Sequence, residues 1–212
     1  MKLRLPVIEP HDFDDGDFVG GDAALDFINT VTGRDAEPRD WLDSYDRLLE
    51  WAGRAGLLRK DAIRALARQA ESNPAAARKA LARAKALREA LFILMSALAA
   101  GRAPPKASLA LLHAHWIEGA KAHELRFVQG AISPELAVEH SDLDLIGAVV
   151  AYRLVENVLP SPAERLRICQ GPSCSWLFID RSKAGRRRWC DMAVCGNAAK
   201  SRRFYAKERA RV

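Results

Sequence analysis

Four cysteines near the end of the chain constrain its fold more than any other feature. They form two pairs with equal spacing, Cys169-x4-Cys174 and Cys190-x4-Cys195, and fifteen residues separate the pairs. Such pairs are typical of a zinc site with four thiolate ligands, in which each short turn directs two sulfurs at one metal ion. Because four thiolates leave no open coordination position, the spacing predicts a structural zinc ion rather than a catalytic one.

Other uses of these cysteines remain open from the spacing alone. Unrelated core cysteines would rarely fall into two equally spaced pairs, and an iron–sulfur cluster is less favoured because nothing else in the sequence indicates redox chemistry. Disulfides are disfavoured in the cytoplasm, where we expect the protein because no segment resembles a signal peptide or a membrane span. A segment of about 50 residues cannot enclose a large core, so zinc should supply much of its folding free energy.

The positive charge of the chain is concentrated in the same segment. The 212 residues carry a formal net charge of +6. Residues 164–212 contain 13 Lys and Arg against four Asp and Glu, which leaves 20 against 23 in residues 1–163. We therefore expect two domains, residues 1–160 and 164–212, joined at Pro160-Ser161-Pro162.

The basic residues of the second domain are candidates for contacts with phosphates. A zinc-stabilised module with an Arg-rich loop and a basic terminal helix favours a nucleic-acid partner, with DNA expected first. The candidate contact residues are Arg181, Lys183, Arg186, Arg187, Arg188, Lys200, Arg202, Arg203 and Lys207.

Three alternatives to DNA binding stay open. The same module could bind RNA if Trp176, Phe178 and Phe204 are exposed and stack on unpaired bases. It could also be a protein–protein adaptor that docks an acidic partner. Finally, some arginines could merely balance the −2 charge of the zinc tetrathiolate, or form a solvated surface without a partner.

The first domain is predicted to be mainly helical. Apolar residues spaced by three and four predict a long helix that begins at Asn73-Pro74 and ends before Gly101. A β-hairpin is expected from strands at 125–129 and 136–139. The other predicted helices begin at Asp43 or Ser44, at Asp61, near residue 107, and at a capping box formed by Ser141 and Asp144.

The cysteine segment resembles the CGNR zinc-finger family. The residues that carry the resemblance are Arg167, Cys169, Cys174-x-Trp176-x-Phe178-x-Asp180-x-Ser182, Arg188-Trp189-Cys190 and Cys195-Gly196-Asn197-x2-Lys200-x2-Arg203. The resemblance implies a zinc finger inferred to bind DNA. The family motif has Arg where this chain has Ala198, which removes one basic contact at the start of the helix.

The first domain resembles the ABATE domain that usually precedes this finger. The matching residues are Gly20-Gly21, Leu25-Asp26-Phe27-x-Asn29-Thr30, Arg34 and Trp41-Leu42. The resemblance implies a stress-related transcription regulator whose first domain is regulatory or sensing. We expect this domain to sense a signal or to form a homodimer. Asp26, Asn29, Thr30, Arg34 and Trp41 are candidates to line a pocket for a small-molecule effector, or else to cap and pack local structure.

The expected fold is therefore mainly α (α+β). It combines a helical first domain that contains a short β-hairpin with a small treble-clef or ribbon-like zinc module that ends in a basic helix. No nucleophile elbow, phosphate-binding Gly-rich loop or HExxH motif is present, so we expect no enzyme activity.

Overall fold

The computed structural model describes residues 5–128, 130–137 and 142–209. Its helices are α1 (Ala23–Asn29), α2 (Tyr45–Arg54), α3 (Lys60–Ser72), α4 (Pro74–Ala99), α5 (Lys106–Lys121), α6 (Leu145–Arg153) and α7 (Asn197–Arg209). Its strands are β1 (Val7–Ile8), β2 (Val31–Thr32), β3 (Arg39–Asp40), β4 (His123–Val128), β5 (Ala131–Leu136), β6 (Leu166–Ile168) and β7 (Leu177–Ile179). The prediction of a mainly helical fold with small sheets is confirmed. None of the described helices is both long and apolar enough to cross a membrane.

Helix α4 forms the centre of the first domain. As predicted, the Asn73 side chain accepts a hydrogen bond from the Ala76 amide and Pro74 occupies the first turn, while Gly101 adopts a left-handed conformation just after the helix. The predicted apolar stripe is buried at Leu81, Ala84, Leu87, Leu91 and Leu94 and packs against α1, α2, α3, α5 and α6.

A buried ion pair fixes α4 to the small sheet β1-β3-β2. Arg88, only 1% exposed, donates two hydrogen bonds of 2.7 and 2.8 Å to the Asp40 carboxylate and a third to Thr30. Burial opposes ionisation of Asp40, but the hydrogen bonds from Arg88 and Lys85 keep its pKa below the usual value. Both charges are therefore paired inside the protein, as buried charges require.

The predicted β-hairpin exists, but its second strand was placed wrongly. Strands β4 and β5 pair with Leu125 opposite Pro134 and Phe127 opposite Ile132, so β5 begins about five residues before the predicted strand at 136–139. The prediction assigned Gly130 to Pro134 to a loop, whereas β5 begins at Ala131, directly after Gly130. Pro134 lies in a two-stranded ribbon, where both strands are edges and a missing N–H is tolerated.

Two predicted helix caps differ in the structure. Helix α3 begins one residue before Asp61, and Arg59 occupies the cap position without a side-chain cap hydrogen bond. Asp61 lies in the first turn, where its side chain accepts from the Ala62 amide. The capping box at Ser141 falls on a residue outside the described part of the chain. Asp144 does precede α6, but its side chain makes no cap hydrogen bond and instead forms an ion pair of 2.7 Å with Arg83.

The last 45 described residues form a β-hairpin followed by a helix. Strands β6 and β7 are antiparallel, with Arg167 opposite Phe178. A long loop then leads to a turn at Met192–Gly196 and into α7. Because a helix follows the hairpin directly after the last cysteine, the arrangement is treble-clef-like rather than an all-β ribbon.

Candidate zinc centre and nucleic-acid interface

The four cysteines meet at one point in the second domain. Cys169 and Cys174 flank the turn between β6 and β7, and Cys190 and Cys195 flank the turn before α7. Their sulfur atoms all lie within 4.8 Å of one another, and the Cys174–Cys190 and Cys190–Cys195 separations are 3.8 and 3.7 Å. A tetrahedron with zinc–sulfur bonds of about 2.3 Å has edges of about 3.8 Å. The sulfur positions thus fit a zinc ion.

Backbone amides donate hydrogen bonds to one of the four sulfur atoms. The amides of Gly171 and Cys190 each lie 3.3 Å from the Cys169 sulfur and donate to it. Gly171 also has no room for a side chain, since a Cβ atom there would lie 2.8 Å from both the Cβ and the sulfur of Cys195. The turn between Cys169 and Cys174 therefore leaves room only for glycine at position 171, beside the sulfur atoms.

The environment of the Cys174 thiol opposes its ionisation. Hydrogen bonding to Cys169 and Cys190, together with burial, raises the pKa of the Cys174 thiol. Four thiolates cannot share this space without a compensating positive charge, and a bound Zn²⁺ deprotonates its thiol ligands. With four sulfur ligands and no open position, zinc holds the module together rather than performing catalysis.

The loop between β7 and Cys190 is fixed by a buried carboxylate. Asp180 accepts hydrogen bonds from the Ser182 hydroxyl at 2.6 Å and from the Arg187 amide at 2.7 Å. The hydroxyl contact is the main reason why the pKa of Asp180 falls to about 2. Arg165 and Arg167 donate to loop carbonyls, including those of Ser182 and Gly185. These arginine contacts join residues that are not neighbours in the chain, and no spacing in the sequence indicates them.

A groove of about 480 Å³ lies between this module's loops and α7. Arg188 donates to the Gln170 side chain at 2.8 Å, and its guanidinium carbon lies 5.5 Å from the centre of the Trp189 ring. No carboxylate lines the groove within the described residues. Its lining consists of Gln170, Pro172, Arg188, Trp189, Ala199, Arg202, Arg203 and Ala206.

The structure brings together only some of the predicted basic residues. Arg188, Arg202 and Arg203 line the groove, while Lys183, Arg186 and Lys200 are exposed outside it. Arg181 donates to the Gly21 carbonyl, and Arg187 donates to the Cys190 carbonyl and lies over the Phe178 ring. The side chain of Lys207 lies outside the described part of the chain.

Two of the three aromatic residues considered for base stacking are buried. Trp176 is 8% exposed and Phe178 is fully buried, because both belong to the core shared with the first domain. Neither ring meets the condition of exposure under which base stacking was predicted. Phe204 and Tyr205 on α7 are exposed, and Trp189 is half-buried at the groove.

The residues of the first domain that were candidates to line an effector pocket are all buried, and they contact other parts of the protein. Asp26 accepts from the Gly20 amide, and Asn29 exchanges hydrogen bonds with the backbone of Leu177. Thr30 contacts Arg88, Arg34 contacts Glu89, and Trp41 packs edge-on against Trp176. Their side chains are engaged in packing between structural elements.

The fold and the sulfur cluster define a zinc-finger protein whose finger follows a helical domain. The CGNR zinc-finger model matches residues 165–208, and the ABATE model, described as "Putative stress-induced transcription regulator", matches residues 21–158. The chain belongs to the ABATE family and carries a CGNR zinc finger. No curated protein matches it.

Proposed function

We propose that the zinc module binds duplex DNA and that the protein is a transcription regulator acting in a stress response. The observation that carries the proposal is the groove lined by Arg188, Arg202 and Arg203. Three guanidinium groups face it without a carboxylate partner among the described lining residues. Phosphates of a nucleic-acid backbone supply the missing negative charge.

The exposure of α7 favours duplex DNA as the partner. The helix has 13 residues, is about 20 Å long and is exposed along most of its circumference. It contacts the turn at Met192–Gly196, which holds the fourth zinc ligand, so the metal fixes its direction. A major groove of about 12 Å accepts one helix of this kind. The arginine-lined groove of the protein would then contact DNA phosphates, and α7 would contact base edges in the major groove.

RNA is a second candidate for one specific reason. Phe204 and Tyr205 are 62% and 66% exposed on α7, and their rings lie 5.7 Å apart. Exposed aromatic rings beside guanidinium groups stack on unpaired bases. A protein–protein adaptor role would instead require that the basic surface shows no preference for nucleic acid.

For the remainder of the protein we propose a regulatory role without catalysis, in the cytoplasm. In this proposal the ABATE domain, residues 1–160, positions the finger, residues 164–212, and passes a signal to it. The contacts between Asn29 and Leu177 and between Gly20 and Ile179 support the coupling, because they join the two segments. The Asn29 side chain pairs with the Leu177 backbone, and the Ile179 amide donates to the Gly20 carbonyl.

The experiment that tests the proposal is selection of bound sequences from a mixed random pool of duplex DNA and structured RNA by the zinc-loaded full chain. Enrichment of duplex DNA is the expected result. Enrichment of RNA loops would support the second candidate. Equal recovery of both pools at a level no higher than that of a chelator-treated sample would contradict nucleic-acid binding altogether.

A further inference from the structure

The hairpin of β4 and β5 has one continuous apolar face. Residues directly opposite each other in an antiparallel pair lie on the same face, and residues two apart along a strand share it. The pairing of Leu125 with Pro134 and of Phe127 with Ile132 therefore puts these four side chains on one side. The opposite side carries Glu124, Arg126, Ser133 and Glu135.

Nothing in the described part of the chain covers the outer end of this face. Leu125, Phe127 and Ile132 are 78%, 76% and 72% exposed, and they lie together at the end of the ribbon. A ribbon of two strands is marginally stable by itself, and a contiguous apolar patch of this kind marks an interaction surface. We call these three residues the ribbon tip.

A groove lies at the base of the same face. It has a volume of about 570 Å³. Its apolar walls include Leu57, Val149 and Tyr152, and its rim carries charges of both signs, Arg59 and Arg153 against Glu135 and Glu156. His123, Pro134 and Leu136, which belong to the apolar face of the ribbon, also line it. The groove thus adjoins the base of the ribbon, where His123, Pro134 and Leu136 share a face with the ribbon tip.

We propose that this face is the interface of a two-fold symmetric homodimer, in which the ribbon tip of each chain packs into the groove of the other. Each chain carries both an apolar tip and a groove with apolar walls and a polar rim, so the contact can close on itself as two-fold interfaces do. A rim with both signs of charge selects neither an anionic membrane nor an acidic peptide. In a copy of the same rim, Arg59 and Arg153 are already paired to Asp61 and Asp22 of their own chain, so neither arginine presents unpaired positive charge to its two-fold mate.

The size of the surface also suits a dimer. Each chain contributes its tip, Pro134 and the groove walls, and two such faces together bury on the order of 1,000 Å², the lower bound for a specific interface. The two chains would then hold two zinc modules, but the inference stands without the proposed nucleic-acid function, because it rests only on residues of the first domain.

The test is the mass of the zinc-loaded full chain in solution, measured by light scattering or sedimentation over a dilution series. Wild type is expected to have the mass of two chains. The variant Phe127→Ser with Ile132→Ser should have half that mass and the same helix content, since both side chains are exposed. Leu109→Ser, which removes an apolar side chain 44% exposed on α5, is the matched control and should remain a dimer.

A second variant tests the groove separately. Asn157 is exposed at the groove, and Asn157→Trp fills the groove without touching the ribbon tip. The mass should again fall by half. A monomeric wild type at the highest concentration, or a tip variant that dimerises as well as Leu109→Ser, would overturn the proposal. A groove variant that stays dimeric would overturn the packing of tip into groove.

Discussion

The side-chain amide of Asn29 pairs with both backbone groups of Leu177. Its oxygen accepts from the Leu177 amide and its nitrogen donates to the Leu177 carbonyl, each at 2.9 Å. Asn29 is the last residue of α1 and Leu177 begins β7, so the first domain supplies an additional hydrogen-bonding partner to the hairpin of the zinc module. The Gly20 carbonyl continues this pairing by accepting from the Ile179 amide at 2.9 Å.

These contacts make a single hydrophobic core out of two segments. Trp176, Leu177 and Phe178 belong to the same buried cluster as Phe27 and Leu91 of the first domain. The small zinc module, which has few apolar residues of its own, therefore gains burial from its neighbour as well as stability from its metal ion. A substitution in the core of either segment is therefore expected to change the stability of the other.

The first prediction concerns this junction. Asn29→Ala leaves the amide and carbonyl of Leu177 buried without their partner, so the free energy of unfolding should fall by about 2–4 kcal/mol. Denaturant unfolding of the zinc-loaded protein measures this loss. Gln69→Ala, which truncates an exposed amide side chain on α3, is the control and should change the free energy by less than about 0.5 kcal/mol. Equal effects of the two substitutions would contradict the claim that the Asn29–Leu177 hydrogen bonds stabilise the protein.

The second prediction concerns the turn between the first two cysteines. Gly171→Ala places a methyl group 2.8 Å from the Cys195 sulfur, which must move away from the metal. Zinc affinity should fall on the order of tenfold to a hundredfold, the range seen when groups around a metal site are perturbed. Transfer of zinc to a chromogenic chelator measures it.

The matched control is Gly53→Ala on α2. A Cβ atom at Gly53 meets nothing within 4 Å, so zinc transfer should match wild type while the helix becomes more stable by about 0.5–1 kcal/mol. If Gly171→Ala retained zinc as firmly as this control, the described fit of the turn around the sulfurs would be incorrect.

The third prediction concerns the pH dependence of stability. Burial raises the pKa of Asp26 to about 7, with smaller contributions from Asp22 and Asp17. Because the folded protein binds a proton that the unfolded chain releases near pH 4, this group makes the protein less stable as the pH rises from about 4 to about 7. The loss levels off above pH 7 and is on the order of 4 kcal/mol.

Asp26→Asn is the substitution that isolates this effect. An asparagine oxygen can still accept from the Gly20 amide, but it does not ionise. The variant should gain stability relative to wild type between pH 5 and pH 8, measured as the difference in free energy of unfolding at each pH. A difference that is constant across this range would show that Asp26 does not titrate there.

The sequence predicted the features that depend on local spacing. The zinc ligands, the start of α4 at Asn73-Pro74 and the helical character of the first domain all follow from residues close together in the chain. The hairpin was misplaced because Pro134 favours a loop when it is considered locally, while pairing with Leu125 holds it in a strand.

Contacts between distant residues were beyond sequence analysis. Asn29 and Leu177 are 148 positions apart, and nothing in their spacing indicates a contact. Asp26 and Asn29 were considered as pocket residues because polar residues in an apolar segment suggest a site, whereas their partners come from the zinc module and from Gly20. Trp176 was considered for stacking, but its burial depends on Trp41, which lies in the first domain.

The central claim is that the guanidinium groups beside α7 neutralise phosphates. The direct measurement is the salt dependence of affinity for duplex DNA. The groove variant carries both Arg202→Ala and Arg203→Ala. The control variant carries both Arg64→Ala and Arg68→Ala, which remove the same charge from exposed positions on α3. If each groove arginine meets one phosphate, the slope of log affinity against log salt should decrease by about 1.8 in the groove variant and stay at the wild-type value in the control. Equal slopes in all three proteins would contradict the account.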